Sequence, residues 1–319
     1  MKIVITDLMT VTNGDIDVKV FDQFGDIVKY EYTEYKDIPD RIKDADIVLC
    51  NKTKLDREVL QYAENLKYIG LFATGYNNID IDYASERGII VSNAGSYSTS
   101  AVAQQVFSYI LEHYNNLRNY TKFVEDGKWK NSTSFSPLVY KKYELNGKTL
   151  GLIGYGNISM AVIRIAKAFN MNVLVNTRTP KNDYMVKFVS FDKLLQSSDI
   201  ISVHCPLTNE TSKMFNKTAF DKMKDGAFFI NTARGGIVDE YALKEALESE
   251  KLSGAAIDVL ETEPMKDDCI LYNVKNLIIT PHTAWIPIET RQRLIKIVVE
   301  NLKHFISGDP MNVVNKRIK

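Results

Sequence analysis

The stretch Gly151-Leu-Ile-Gly154-Tyr-Gly156-Asn-Ile-Ser159 constrains this chain more than any other, because it joins a short apolar strand to a helix through glycines. Gly154 suits a tight turn, Gly156 lets backbone approach a pyrophosphate, and the helix that follows aims its partly positive N-terminus at that anion. The third position of the G-x-G-x-x-G pattern is Ser159, small enough for close helix–strand packing at some steric cost. The flanks read as one βαβ unit: strand Lys148–Ile153, helix Ala161–Phe169, strand Met171–Asn176. A plain βα turn without a ligand is the alternative at this point.

The end of the second strand is where such a unit selects its nucleotide. An acidic residue about 20 positions past the glycines would bind the ribose hydroxyls and repel a 2′-phosphate, whereas Arg does the reverse. Here the chain reads Val175-Asn-Thr177-Arg178-Thr179-Pro-Lys181, without a carboxylate. A guanidinium, two hydroxyls and an ammonium suit a phosphate, so NADP(H) is the expected cofactor, with NAD(H) as the alternative.

At 319 residues the chain is long for a single core, and two domains are the natural expectation. Lysine plus arginine balance aspartate plus glutamate at 40 each, leaving no global field for nucleic acid or an anionic membrane. The cysteines, Cys50, Cys205 and Cys269, are odd in number and far apart, which suits reduced thiols on buried strands in the cytoplasm. No run of about 18 apolar residues occurs, so a soluble protein is expected. No metal-ligand cluster suggests itself.

Residues 1–97 alternate strands (Ile3–Thr6, Asp46–Asn51, Tyr68–Ala73, Ile89–Ser92) with helices near Pro39–Lys43, Asp56–Asn65 and Asp80–Glu86, the pattern of a small doubly wound parallel sheet. In such sheets ligands gather at the carboxyl ends of the strands. The loops Asn51-Lys52-Thr53 and Ala73-Thr74-Gly75-Tyr76-Asn77-Asn78 lie there, and the Gly75 and Tyr76 amides could hold a substrate anion; a simple Gly/Asn turn is the other reading. From Ser98 a long apolar-faced helix crosses between domains. Residues 118–146, polar and aromatic, read either as an arm for a second subunit or as a surface loop. Strands Asp199–Pro206, Ala227–Ala233, Gly254–Val259 and Leu277–Pro281 bring the second sheet to six, with helices around Asp192–Gln196, Lys217–Met223 and Glu240–Ser249. A last helix, Glu289–Ser307, precedes a tail, Gly308–Asn315, expected to return to the first domain.

Three strand-end residues can carry chemistry. His282, in Thr280-Pro-His-Thr-Ala-Trp285, can protonate the alkoxide formed when a carbonyl accepts hydride. Glu263 can orient that imidazole and favour its protonated form. Arg234, in Asn231-Thr-Ala-Arg-Gly-Gly236, can grip the carboxylate and carbonyl oxygen of a 2-oxo acid. Singly, each also has an ordinary reading: a capping histidine, a solvated glutamate, an arginine on backbone carbonyls. His113 and His304 fall on helices and read as surface or interface residues, while His204-Cys205-Pro206 ends a strand where a nucleotide contact fits.

Over nearly its whole length the chain resembles the D-isomer-specific 2-hydroxyacid dehydrogenases. The matching segments are Gly151–Ser159, His204-Cys-Pro-Leu-Thr-Asn-Glu-Thr211, Asn231–Val238, Asp258–Pro264 and Thr280–Ala284. Within the family, Thr74–Asn78, Pro281–Trp285 with Glu289-Thr-Arg291, and Gly308–Asn315 look most like glycerate dehydrogenases, the hydroxypyruvate and glyoxylate reductases. The resemblance implies an α/β chain of two doubly wound parallel sheets: a flavodoxin-like substrate domain (1–97 plus 287–319) and a Rossmann dinucleotide-binding domain (98–286). It implies Arg234, Glu263 and His282 as catalytic residues. Gly154, Gly156, Asn157, Ile158, Thr177, Arg178, Thr179, His204, Cys205, Pro206, Thr211, Thr232, Ala233, Arg234, Asp258, His282 and Ala284 match its cofactor positions, with Asp258 and the Ala233 carbonyl on the nicotinamide amide. Lys52, Thr74, Gly75, Tyr76, Tyr97, Arg234, His282 and Trp285 match its substrate positions. It also implies a homodimer, without nucleic-acid or membrane partners. Two departures stand out: Ser159 puts the helix packing in question, and Thr177-Arg178 resembles the NADPH-preferring reductases. A D-lactate-type dehydrogenase and a non-catalytic dinucleotide sensor, like corepressors of this fold, are the alternatives.

Overall fold

The computed structural model describes residues 1–315, so the last four positions of the 287–319 segment lie outside the described residues. The chain divides into two compact units, Met1–Ser98 with Ile286–Lys319, and Thr99–Trp285.

The first unit is a five-stranded sheet of β1 (Lys2–Ile5), β2 (Asp26–Lys29), β3 (Ile47–Cys50), β4 (Tyr68–Leu71) and β5 (Ile90–Ser92), all parallel, in the order β2-β1-β3-β4-β5. That order is the flavodoxin-like one. β1, β3 and β4 are buried on both faces, which is why they read as uninterrupted apolar runs. β2 was not expected from the sequence: Asp-Ile-Val-Lys is an edge strand with an exposed aspartate, and it lacks the apolar run of its neighbours. Among the helices are α1 (Ile38–Ile42), α2 (Arg57–Leu60) and α3 (Ile81–Glu86). Asp56 and Asp80 cap α2 and α3 by accepting from the N–H groups of Val59 and Tyr83. α2 is shorter than the Asp56–Asn65 pattern predicts, because Tyr62 and Ala63 donate three residues back and tighten the chain out of the helix. The C-terminal helix, Ile288–Ile306, stacks Phe305 on Tyr68 at 4.5 Å. The tail then bridges Val313 to Ser92, while Asn315 accepts from the Val91 N–H and donates to the Ile89 carbonyl.

The second unit opens with α4 (Thr99–Asn115) and α5 (Leu117–Glu125). It continues β6 (Thr149–Ile153), α6 (Asn157–Ala168), β7 (Asn172–Asn176), β8 (Lys187–Phe188), α7 (Phe191–Ser197), β9 (Ile200–Val203), α8 (Lys217–Lys222), β10 (Ala227–Asn231), α9 (Glu240–Glu248), β11 (Leu252–Ile257) and β12 (Leu277–Ile279). Its sheet is parallel throughout, ordered β12-β11-β10-β9-β6-β7-β8. The sequence predicts six strands and the sheet has seven; β8, two residues long on the outer edge, is too short to show in a hydrophobic pattern. The order reverses between β6 and β9, the switch point where such sheets bind nucleotides. Apolar residues cover both faces: Leu150, Val173 and Phe228 pack toward α4 and α6, and Ile201, Phe229 and Ala255 toward α7, α8 and α9.

Three expectations change. His113, expected at a surface or interface, is half-buried on α4, stacked at 4.0 Å on Phe228, with Nε2 bonded to Ser253, and burial lowers its pKa to about 4. Cys269 is half-buried in the segment between β11 and β12, off any strand, and Cys205 follows β9; both are thiols, as is buried Cys50. The arm begins as helix α5 and runs on without helix or strand to β6, carrying Phe135 and Leu138 at 91% and 96% exposure.

Candidate active site

At the switch point Gly154 adopts φ +97°, and a Cβ there would lie 2.6 Å from the His204 carbonyl oxygen, so only glycine fits. Space in front of Gly156 is open, and α6 starts immediately after it. Ser159 resolves the packing question: it is fully buried, and its hydroxyl donates to the Gly154 carbonyl at 2.9 Å, tying helix to turn where glycine would leave that carbonyl unserved. Tyr155, between the glycines, donates its hydroxyl to Asp183 beyond β7. Thr177 is half-buried, while Arg178 and Thr179 are exposed after β7. Asn157 and Ile158 open α6.

At the end of β9 burial pushes the His204 imidazole down to about 4 and the Cys205 thiol up to about 11, so both are neutral near neutral pH. His204 Nε2 pairs with the Ser202 hydroxyl at 2.9 Å. The Pro206 carbonyl accepts from the Thr211 hydroxyl at 2.7 Å, closing that loop. Glu210 is held below the usual carboxylate range, first by the Thr208 hydroxyl and also by the charge of Arg178.

After β10 the buried Asn231 side chain folds the next loop, donating to the Arg234 carbonyl and accepting from the Ala233 N–H. Arg234 Nη1 donates to the Ala233 carbonyl at 2.7 Å. Thr232 Oγ1 is buried and has no hydrogen-bond partner among the described residues, an orphan expected where a ligand supplies the missing group. Together with the glycine turn and the open face of Gly156, it fits a dinucleotide laid across this edge.

After β11, Asp258 is 2% exposed, and its carboxylate accepts from the Thr280 hydroxyl, the Thr283 N–H and the Ala284 N–H. Asp258 and the Ala233 carbonyl, which the resemblance puts on the nicotinamide amide, are thus each already engaged within the chain. His282 Nδ1 lies 2.7 Å from Glu263 Oε2, and Glu263 Oε1 accepts from the Leu260 N–H. A carboxylate only accepts, so Nδ1 carries the proton of that bond and Nε2 is the nitrogen left for a reactant. Arg234, Glu263 and His282 therefore follow β10, β11 and β12, three neighbouring strands, with Glu263 and His282 in direct contact. Trp285 is half-buried at the end of this unit.

The first unit presents its own strand-end loops. The N–H groups of Asn51, Lys52 and Thr53 all donate to the buried Asp7 carboxylate, so that loop holds an internal anion, which the sequence reading missed. The Lys52 side chain is exposed. By contrast the N–H groups of Gly75 and Tyr76 have no partner among the described residues. The Thr74 hydroxyl donates to the Gly95 carbonyl. Tyr97, matched to a substrate-facing tyrosine, is 6% exposed in this unit. Among the described residues no cluster could hold a metal, and no helix is long and apolar enough to cross a membrane.

The sequence profile for the D-isomer specific 2-hydroxyacid dehydrogenase NAD binding domain matches residues 107–284. The chain is 41% identical to a hydroxypyruvate reductase of Blautia hydrogenotrophica, covering 99% of this chain and all of that one. Among solved structures, D-lactate dehydrogenase of Aquifex aeolicus, complexed with NAD and lactic acid, superposes with a TM-score of 0.84 at 31% identity, over 96% of both chains. An NADPH-dependent glyoxylate/hydroxypyruvate reductase of Sinorhizobium meliloti, in complex with citrate, gives 0.85 at 25% identity, over 99% of this chain and 98% of that one. With this profile match, these relatives and the strand order of its two sheets, the chain belongs to the D-isomer-specific 2-hydroxyacid dehydrogenases, oxidoreductases that work with a nicotinamide cofactor.

Proposed function

We propose that this dehydrogenase is an NADP(H)-preferring reductase of small 2-oxo acids such as hydroxypyruvate or glyoxylate, giving the D-2-hydroxy acid, with His282 as the proton donor. The observation that carries it is the 2.7 Å contact of His282 Nδ1 with Glu263, one strand over from Arg234. Bound NADPH supplies the hydride. His282 gives the proton to the carbonyl oxygen from Nε2, while Glu263 fixes the ring through Nδ1. The Arg234 guanidinium binds the oxo acid's oxygens, and the Gly75 and Tyr76 amides bind its carboxylate, with Lys52, Thr74, Tyr97 and Trp285 completing the substrate set.

The nucleotide is held by Gly154, Gly156, Asn157 and Ile158 at the pyrophosphate, by Thr177, Arg178 and Thr179 at the 2′-phosphate, and by His204, Cys205, Pro206, Thr211, Thr232, Ala233, Asp258 and Ala284 along the strand ends. The absence of a carboxylate between Val175 and Lys181 supports NADPH over NADH. The exposed Phe135 and Leu138 of the arm support a homodimer, and three separate thiols a cytoplasmic setting. A spectrophotometric panel of 2-oxo acids with NADPH and NADH tests the reading. Fastest turnover with NADPH and hydroxypyruvate or glyoxylate is expected. Preference for pyruvate would mean a D-lactate-type enzyme, and absence of turnover a dinucleotide sensor.

A further inference from the structure

His282 has φ +55°, a left-handed backbone conformation that is uncommon for any residue other than glycine and that neighbouring groups hold in place here. What holds it is Asp258. The His282 N–H donates to the Asp258 carbonyl at 2.8 Å, the Thr283 N–H to its Oδ1 at 2.8 Å and the Ala284 N–H to its Oδ2 at 2.9 Å. The same Oδ1 accepts from the Thr280 hydroxyl at 2.5 Å. Thr280 in turn is bonded to the hydroxyl of Tyr109, a buried residue of α4.

The direction of this chain follows from counting hydrogens. A carboxylate that accepts two backbone N–H groups has none to give Thr280, so the Thr280 hydrogen goes to Asp258. Thr280 can then only accept from Tyr109, so the phenol donates to it, and the Gln105 side chain is a second hydrogen-bond partner of that phenol. Burial raises the Tyr109 pKa, which keeps that proton in place. No cation is paired with Asp258 among the described residues, so these hydroxyls and amides are what stabilise its buried charge.

We infer that the directed chain Tyr109, Thr280, Asp258 is a positioning device for the reaction: it fixes the turn Thr280–Ala284 so that His282 stays in its left-handed conformation and in register with Glu263. The inference rests on His282 being the proton donor. It makes Tyr109 and Thr280 determinants of turnover although neither is among the residues assigned to substrate or cofactor, and it gives Asp258 a duty to the protein's own backbone.

The test compares Thr280→Val, Thr280→Ser and Tyr109→Phe with His282→Asn, measuring kcat and KM for hydroxypyruvate, NADPH affinity by fluorescence, and melting temperature. Misplacing a reacting group by about 1 Å through a remote change costs roughly 100-fold in rate, and a smaller displacement about tenfold. Thr280→Val is expected to lose that much in kcat with NADPH affinity held within about threefold; Thr280→Ser, which keeps the hydroxyl, should recover most of it, and Tyr109→Phe should fall between them. Should Thr280→Val melt too low to assay, the Thr280→Ser and Tyr109→Phe pair decides: a drop in kcat confined to Tyr109→Phe supports the chain. If His282→Asn is inactive while Thr280→Val and Tyr109→Phe turn over at the parent rate, or if Ser and Val at 280 lose activity equally, the positioning chain is refuted. If His282→Asn itself remains active, the proton-donor reading fails first.

Discussion

Gly235→Ala puts a single methyl group between the two loops that matter most. The Cβ it adds would stand 1.9 Å from the Leu260 carbonyl carbon, 2.0 Å from its oxygen and 2.3 Å from the Glu261 nitrogen. Ordinary carbon contact begins near 3.4 Å, so the loops must separate by about 1.5 Å, and because the obstacle is backbone no rotamer change relieves it. One loop carries Arg234 and the other Glu263, whose second oxygen holds the Leu260 N–H. Displacements of about 1 Å at reacting groups cost roughly 100-fold in rate, and overpacking of this kind about 1–3 kcal/mol of stability. The assay is oxidation of NADPH by hydroxypyruvate followed by absorbance, with melting temperature and NADPH affinity measured alongside. The expected result is a fall in kcat/KM of about 100-fold, a lower melting temperature and NADPH affinity changed far less. A variant with parent kcat/KM and parent melting temperature would refute the claim that this backbone contact sets the spacing of Arg234 and Glu263.

The other predictions concern the nucleotide and acid stability. Arg178→Ala should raise the NADPH KM about tenfold or more while leaving the NADH KM within about twofold, since one charge-assisted contact is worth about 1.5–3 kcal/mol; steady-state kinetics with both nucleotides checks it, and equal effects on the two would contradict the 2′-phosphate assignment. His113 and His204 have pKa values near 4 in the fold against an ordinary 6.5. As pH falls below 6.5 the unfolded chain takes up these protons before the fold does, so stability present above 6.5 is lost down to about 4, amounting at pH 5 to about 2 kcal/mol per histidine. Denaturant unfolding at pH 7 and pH 5 measures this loss, which His113→Gln should reduce by about half; equal stability at the two pH values would contradict the burial argument.

Much of this arrangement could be read before any coordinates. Apolar runs such as Ile47–Cys50 and Ala227–Asn231 are buried on both faces, and a strand buried that way has a composition visible in one dimension. The glycine turn was legible because Gly154 has a steric reason to be glycine. His282 and Glu263, 19 positions apart, could be paired because both follow strands of one parallel sheet. What stayed hidden depends on neighbours distant in sequence. β2 and β8 take their strand form from pairing with β1 and β7, with little apolar patterning of their own. Asp7 fills the amides of Asn51–Thr53 from 44 to 46 residues away, so nothing local to that strand-end loop announces the anion it already holds. His113 looked like a surface or interface residue because nothing in its helix announces Phe228 against its ring. The serine at 159 looked like a defect until its hydroxyl was seen on the Gly154 carbonyl.

Turnover depends on the imidazole bonded to Glu263 delivering the proton that accompanies hydride transfer. This dependence is tested most directly by His282→Asn, assayed for reduction of hydroxypyruvate at saturating NADPH with NADPH affinity measured separately. In this variant kcat is expected to fall at least about 100-fold, the usual worth of a general acid, while the nucleotide binds as in the parent. Turnover within a few-fold of the parent would contradict that dependence.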